Sequence, residues 1–124
     1  MGKNILVVDD EVVSRELVKR RLAENGFEIN TAQDGLEALS AVQKARPDLI
    51  LLDIQMPKMN GYAFIGELRK YENEQQPPIG RIPVIVLTAH DKMEPIFKRH
   101  GARGYVLKPL DMDKLLLMIK DVLK

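Results

Sequence analysis

The sequence contains no cysteine and no tryptophan, and it has only three tyrosines and three phenylalanines. Without thiols there can be no disulfide, no thiolate metal site and no cysteine nucleophile. Long apolar runs are missing as well. None approaches the roughly 20 residues that a membrane-spanning helix needs, so no membrane partner is expected. An excess of charge of one sign is also absent. Nineteen Lys and Arg stand against eighteen Asp and Glu, leaving a net charge of +1. No global field therefore draws the chain to nucleic acid or to an anionic surface. Lys19-Arg20-Arg21 is the one basic run, and the solvated face of a helix explains it better than a nucleic-acid footprint. The opening Met1-Gly2-Lys3-Asn4 leads into a short apolar run with no cleavage-site pattern. Leu6 stands where a myristoylation signal would carry Ser or Thr. The expectation is a cytoplasmic protein with no nucleic-acid and no membrane partner.

The 124 residues suffice for one ordinary core, so residues 1–124 are read as a single domain. Five short apolar runs stand out: Ile5 to Val8, Glu28 to Thr31 (the weakest), Leu49 to Leu52, Pro83 to Leu87, and Tyr105 to Leu107. Several are continuous rather than alternating, as expected of parallel strands covered on both faces. Segments with helical spacing lie between them. Val13, Leu17 and Leu22 mark the first, with Asn25-Gly26 as its stop. Leu36, Leu39 and Val42 mark the second, ended by Arg46-Pro47. Tyr62, Ile65 and Leu68 mark the third, and Glu94 to Arg99 a fourth that starts late or loosely because of Pro95. Asp111 is placed to cap the fifth, which carries Leu115, Leu116, Ile119, Val122 and Leu123. Tyr71 to Arg81, polar and containing Pro77-Pro78, reads as an extended surface loop. Five strand–helix repeats predict an α/β, doubly wound parallel sheet with right-handed crossovers.

Polar residues fall at one place in that scheme. Asp9 and Asp10 follow the first run, Asp53 the third, Thr88 the fourth and Lys108 the fifth. In a parallel sheet all of these lie at the carboxyl edge, where ligand crevices form near the point of strand-order reversal. Three carboxylates packed together repel one another and call for a cation. Oxygen ligands of this kind suit Mg²⁺, which keeps waters and takes one or two carboxylates plus phosphate oxygens. A lysine and a hydroxyl aimed at the same spot suit a phosphoryl group, whose transfer demands mainly positioning and charge neutralisation. A carboxylate can itself be the nucleophile, giving an aspartyl phosphate.

Four segments carry a family resemblance: Val7-Val8-Asp9-Asp10-Glu11, Asp53 to Gly61, Leu87-Thr88-Ala89, and Tyr105 to Pro109. In this order and at these strand ends the chain resembles, over essentially its whole length, the CheY-like receiver domains of two-component phosphorelay response regulators. The resemblance implies a flavodoxin-like sheet of strand order 2-1-3-4-5 flanked by five helices. It implies Asp53 as phosphoacceptor and Asp10 as a direct Mg²⁺ ligand, with Asp9 acting through a metal-bound water and the backbone carbonyl of Gln55 as a further ligand. Lys108 would pair with Asp53 and then with the phosphoryl oxygens. Thr88 would swing its hydroxyl onto the phosphoryl group, with Tyr105 as the switch aromatic. Pro109 implies a cis Lys108–Pro109 bond. The implied partners are a sensor histidine kinase or histidine phosphotransfer protein, and a downstream partner on the face of the fourth helix, fifth strand and fifth helix. The implied role is a signalling phosphoacceptor rather than an enzyme, assisting only its own phosphorylation and dephosphorylation.

Blander readings stand beside these. Asp10 alone reads as a helix cap, Lys108 alone as a solvated lysine, and Tyr105 equally well as a packed edge residue. His90 reads as a loop residue and His100 as a helix end. The long segment Tyr71 to Arg81 and Leu87-Thr88-Ala89-His90 look more like receivers of hybrid histidine kinases. With nothing after Lys124 to act as an output domain, direct control of transcription is not expected. Two rival functions remain: an Mg²⁺-dependent aspartyl-phosphate phosphatase of the haloacid-dehalogenase type, and an interaction module whose site is idle. The former wants an Asp where Gln55 stands, and a cap domain. A flavin-binding flavodoxin is disfavoured because no Ser-, Thr- or Gly-rich phosphate loop follows Val8.

Overall fold

A computed structural model describes residues 2–53, 61–75, 80–88 and 102–124, except the side chains of Tyr62 and Thr88. The elements run β1 (Asn4–Val8), α1 (Val12–Glu24), β2 (Glu28–Ala32), α2 (Gly35–Lys44), β3 (Leu49–Asp53), α3 (Gly61–Glu74), β4 (Val84–Thr88), β5 (Gly104–Leu107) and α4 (Met112–Val122). The strands form one parallel sheet in the order β2-β1-β3-β4-β5. This is the α/β sheet and the strand order expected, with four helices among the described residues. The helix expected at 94–99, with Pro95, lies outside them, so α4 is the last of the five anticipated helices.

Strand parity builds the two halves of the core. Successive side chains of a strand point to opposite faces. Ile5 and Val7 of β1, Leu49 and Leu51 of β3, and Ile85 and Leu87 of β4 pack with Val18 and Leu22 of α1 and with Leu115 and Ile119 of α4. Their alternates Leu6, Val8, Ile50, Leu52, Val84 and Val86 pack with Ala38 and Val42 of α2 and with Phe64, Ile65 and Leu68 of α3. Both faces are covered, so the central strands are apolar except at their ends, where Asn4, Asp53 and Thr88 stand.

Local chemistry sets the helix ends. Asp34 caps α2 by accepting from the Glu37 N–H at 2.8 Å. Asp111 caps α4, as expected, accepting from the N–H groups of Asp113 and Lys114. After α1, Gly26 takes φ +88°, a conformation that glycine adopts without Cβ strain. The residue preceding α1 is Glu11, with no side-chain cap, so Asp10 does not serve as that helix's cap.

One expectation needs correction. Tyr71 to Glu74 are not loop, because α3 continues through Glu74. The polar sequence stays helical because its charges are used inside. The Glu72 carboxylate is buried, pairs with Arg69 at 3.0 Å and accepts from the Ile82 N–H at 2.6 Å. Arg69 also donates to the Ile82 carbonyl. The apolar spacing of α1 located the helix but not its inner face. Val18 and Leu22 are buried, whereas Val13 is 66% and Leu17 57% exposed.

Candidate functional site

The chain passes from β1 to β2 on one side and then returns to place β3 on the other side of β1. The order therefore reverses between β1 and β3, and the crevice at such a reversal lies outside the carboxyl ends of the strands. Val8 pairs with Leu52 in the parallel register, which brings Asp9 beside Asp53. Both acids continue the parity of residues facing α1 and α4. Asp9 follows Ile5 and Val7, and Asp53 follows Leu49 and Leu51. Asp10 completes the group: carboxylate oxygens of Asp9, Asp10 and Asp53 all lie within 4.8 Å of one another. Asp9 and Asp53 are buried and Asp10 is exposed.

Lys108 reaches the cluster from two strands away. It continues the parity of Val106, and in the sheet Asp53 lies level with Leu87, which lies level with Val106. Two strand spacings, about 10 Å, separate β5 from β3, a distance that a long side chain closes. Its Nζ donates to Asp53 Oδ2 at 2.9 Å. The Lys108–Pro109 peptide bond is cis, as expected. Burial pulls the lysine pKa down, but the hydrogen bond to Asp53 and the charges of Asp53, Asp9 and Glu11 outweigh it. The amine is left above its ordinary value of 10.5.

Asp9 is held at several points. Its N–H donates to the Ala32 carbonyl at 3.0 Å. Its Oδ1 accepts from the Glu11 N–H at 2.9 Å, and its carbonyl accepts from Arg15 Nη1 at 2.9 Å. Its Oδ2 is buried and finds no hydrogen-bond partner among the described residues. A buried carboxylate oxygen without a donor is costly unless something cationic completes it. Three clustered carboxylates with one such oxygen fit a hard divalent cation with oxygen ligands, which favours Mg²⁺ over a thiolate- or imidazole-seeking metal.

Of the other site residues read from the sequence, Thr88 ends β4, at the same edge as Asp53. Tyr105 in β5 is half-buried against the core on the α2 and α3 side. Gln55, with Met56 to Asn60, and His90 lie outside the described residues. Sequence reasoning passed over Glu11, whose N–H and charge both act on the site, and Arg15. The available signal for Arg15 was its position one helical turn beyond an acidic pair at a strand end.

A model of the response regulator receiver domain family matches residues 5–120. The chain is 41% identical over 124 residues to a Cyanophora paradoxa protein named probable transcriptional regulator ycf27, covering 98% of this chain and 48% of that protein. The crystallised chemotaxis protein CheY4 of Vibrio cholerae is 34% identical with a TM-score of 0.87, covering 98% of this chain and 99% of that one. The receiver domain of a Syntrophus aciditrophicus signal transduction histidine kinase is 32% identical with a TM-score of 0.83, covering 98% and 90%. This chain spans between a quarter and about half of the length of the curated relatives it matches. No helix among the described residues is long and apolar enough to cross a membrane.

Proposed function

The chain belongs to the response regulator receiver domain family of two-component signalling, and on that premise we propose that it is a phosphoacceptor switch in which Asp53 takes the phosphoryl group. Receiver domains are signalling modules rather than classical enzymes. The observation that carries the reading is the convergence of three carboxylates and one lysine on the carboxyl end of β3.

Asp9, Asp10 and Asp53 would hold Mg²⁺, Asp9 through a bound water, with the Gln55 carbonyl as a further ligand. Bound there, the cation supplies neutralisation of charge on the phosphoryl oxygens. The donor is a phosphohistidine on a sensor histidine kinase or histidine phosphotransfer protein. An Asp53 carboxylate oxygen forms the new P–O bond as the P–N bond to the donor imidazole breaks. The bonding pair leaves with the ring, which departs neutral because its other nitrogen carries a proton. Lys108, already bonded to Asp53, transfers its hydrogen bonds to the phosphoryl oxygens and stabilises charge where it develops. Attack of water on phosphorus later releases inorganic phosphate and restores the Asp53 carboxylate.

The output follows from added charge at one strand end. Thr88 turns its hydroxyl to the phosphoryl group, and Tyr105 follows inward. The affected face is that of β5 and α4, where a downstream partner binds; the helix expected at 94–99 on that face lies outside the described residues. The donor approaches from the α1 side. Val13, Leu17, Pro109 and Leu110 line a groove of about 510 Å³ that reaches Lys108, so an apolar helix seated there would bring its histidine to Asp53.

Intact-mass analysis after adding a small phosphodonor with Mg²⁺ tests the reading. The wild type gains one phosphoryl group and Asp53→Ala gains none. An unchanged wild-type mass with every donor would leave an interaction module with an idle site.

A further inference from the structure

Arg15 is not part of the acidic cluster, yet its placement is unusual. It lies in the first turn of α1, where the exposed N–H groups make the helix end positive and a cation is disfavoured. Helical side chains lean toward the N-terminus, so Arg15 reaches back past Glu11, whose carbonyl accepts from the Arg15 N–H at 3.0 Å. Its Nη1 ends on the carbonyl of Asp9 at 2.9 Å. That carbonyl lies just beyond the end of β1, and the guanidinium supplies it with a donor from one turn up the helix.

The consequence concerns the carboxylate of the same residue. The Asp9 N–H is fixed by β2 through Ala32, and its Oδ1 by the Glu11 N–H. With the carbonyl also held, the peptide after Asp9 cannot swing, and Oδ2 keeps its buried aim with no partner of its own. Left free, such a turn would rotate to solvate that oxygen or to separate the Asp9 carboxylate from those of Asp10 and Asp53. A charge-assisted bond to the backbone is among the stronger local restraints available.

We propose that Arg15 is a positioning residue for the cation site: it straps the β1–α1 turn so that the Asp9 carboxylate stays beside those of Asp10 and Asp53 before any cation arrives. The inference rests on the cation-site reading given above. It also runs against simple electrostatics, because removing a nearby positive charge should by itself tighten cation binding. The strap predicts the opposite sign. Groups that orient metal ligands typically alter affinity by about 10- to 100-fold when removed.

The test is Mn²⁺ binding to the full chain, followed by the loss of the free-ion paramagnetic resonance signal, with no phosphodonor present. Arg15→Met should bind Mn²⁺ at least about tenfold more weakly, and Arg15→Lys, which keeps a donor, within about threefold of wild type. Hydrogen exchange at the Glu11 amide should quicken in Arg15→Met and not in Arg15→Lys. If Arg15→Met fails to fold, Arg15→Gln, whose amide stops short of the carbonyl, is read the same way. Asp9→Ala separates the two readings. If Asp9→Ala loses Mn²⁺ while Arg15→Met binds as well as wild type or better, the strap is wrong and the cation site stands. If Asp9→Ala binds like wild type, the cation site itself is wrong and the strap falls with it.

Discussion

Lys108 Nζ lies 2.9 Å from Asp53 Oδ2, although 55 residues separate them along the chain. The contact spans the end of β4 and joins the two sides of the sheet's carboxyl edge. It also determines how the lysine titrates. The folded pKa is raised above the ordinary 10.5 because the Asp53 bond and the neighbouring acids outweigh burial. A group raised on folding contributes stability that is complete below its unfolded pKa and is lost as pH climbs through the folded one. The pair should therefore hold undiminished across the neutral range and weaken only in strong alkali, above 10.5. In Asp53→Ala, burial remains while the largest raising causes vanish, so the Lys108 midpoint should fall below that of the wild type. Titration of the Lys108 ε-carbon shift by NMR reads both values, and a wild-type midpoint at or below the ordinary lysine value would contradict this.

Asp9→Asn should stabilise the protein in the absence of divalent cations. The asparagine keeps the Oδ1 acceptor for Glu11, puts an amide donor in place of the buried, unpartnered Oδ2, and takes one of three clustered carboxylates away. Relief of one like charge and one unmet acceptor should be worth about 1 kcal/mol, or roughly 3–5 °C in Tm for a chain of this length. Added Mg²⁺ should raise the wild-type Tm and leave that of the variant nearly unchanged. Calorimetry with and without Mg²⁺ checks both signs, and a variant less stable than wild type without cation would refute the crowding argument.

Glu72 and Arg69 form an ion pair with side-chain exposures of 2% and 12%, and between them they bind both the N–H and the carbonyl of Ile82. Removing one partner of a buried pair leaves an uncompensated charge and here also orphans a backbone donor. Glu72→Ala should cost about 3–5 kcal/mol in urea unfolding. The double change of Glu72 and Arg69 to apolar residues of similar volume should recover part of that loss. A cost of Glu72→Ala below about 1 kcal/mol would mean that water satisfies these groups.

What the sequence revealed and what it concealed have physical reasons. Residues fixed by strand ends were legible, since a parallel sheet sends every strand's carboxyl end to one edge. Asp9, Asp53 and Lys108 are therefore brought together by the strand pattern of the sequence alone. The capping of α4 by Asp111 was legible because a cap is a local interaction. The Glu72 clamp was not, because its partner Ile82 lies beyond a polar, proline-bearing segment and a charged residue gives no sign that it is buried. Arg15 was missed for a related reason. Its target is a backbone carbonyl, and carbonyls have no signature in a sequence. The exposed side of α1 was not legible, because apolar periodicity marks a helix without saying which apolar residues meet the core.

That exposed side yields the last prediction. Val13 and Leu17 border the groove that ends at Lys108 and lie largely in solvent. They contribute little to the core, so Val13→Asp and Leu17→Glu should change stability by no more than about 0.5 kcal/mol. Their effect should fall on association with a phosphohistidine protein, where burying a carboxylate against an apolar helix is costly. Each should slow phosphoryl transfer from a histidine kinase or phosphotransfer protein by about tenfold or more, equivalent to at least about 1.4 kcal/mol of lost docking energy. A small phosphodonor needs no docking helix, so its rate of modifying Asp53 should be unaffected. Parallel time courses with the two kinds of donor separate docking from chemistry. Equal slowing with both donors would place these residues in the reaction itself, and no slowing with either would leave the groove without a part in phosphoryl transfer.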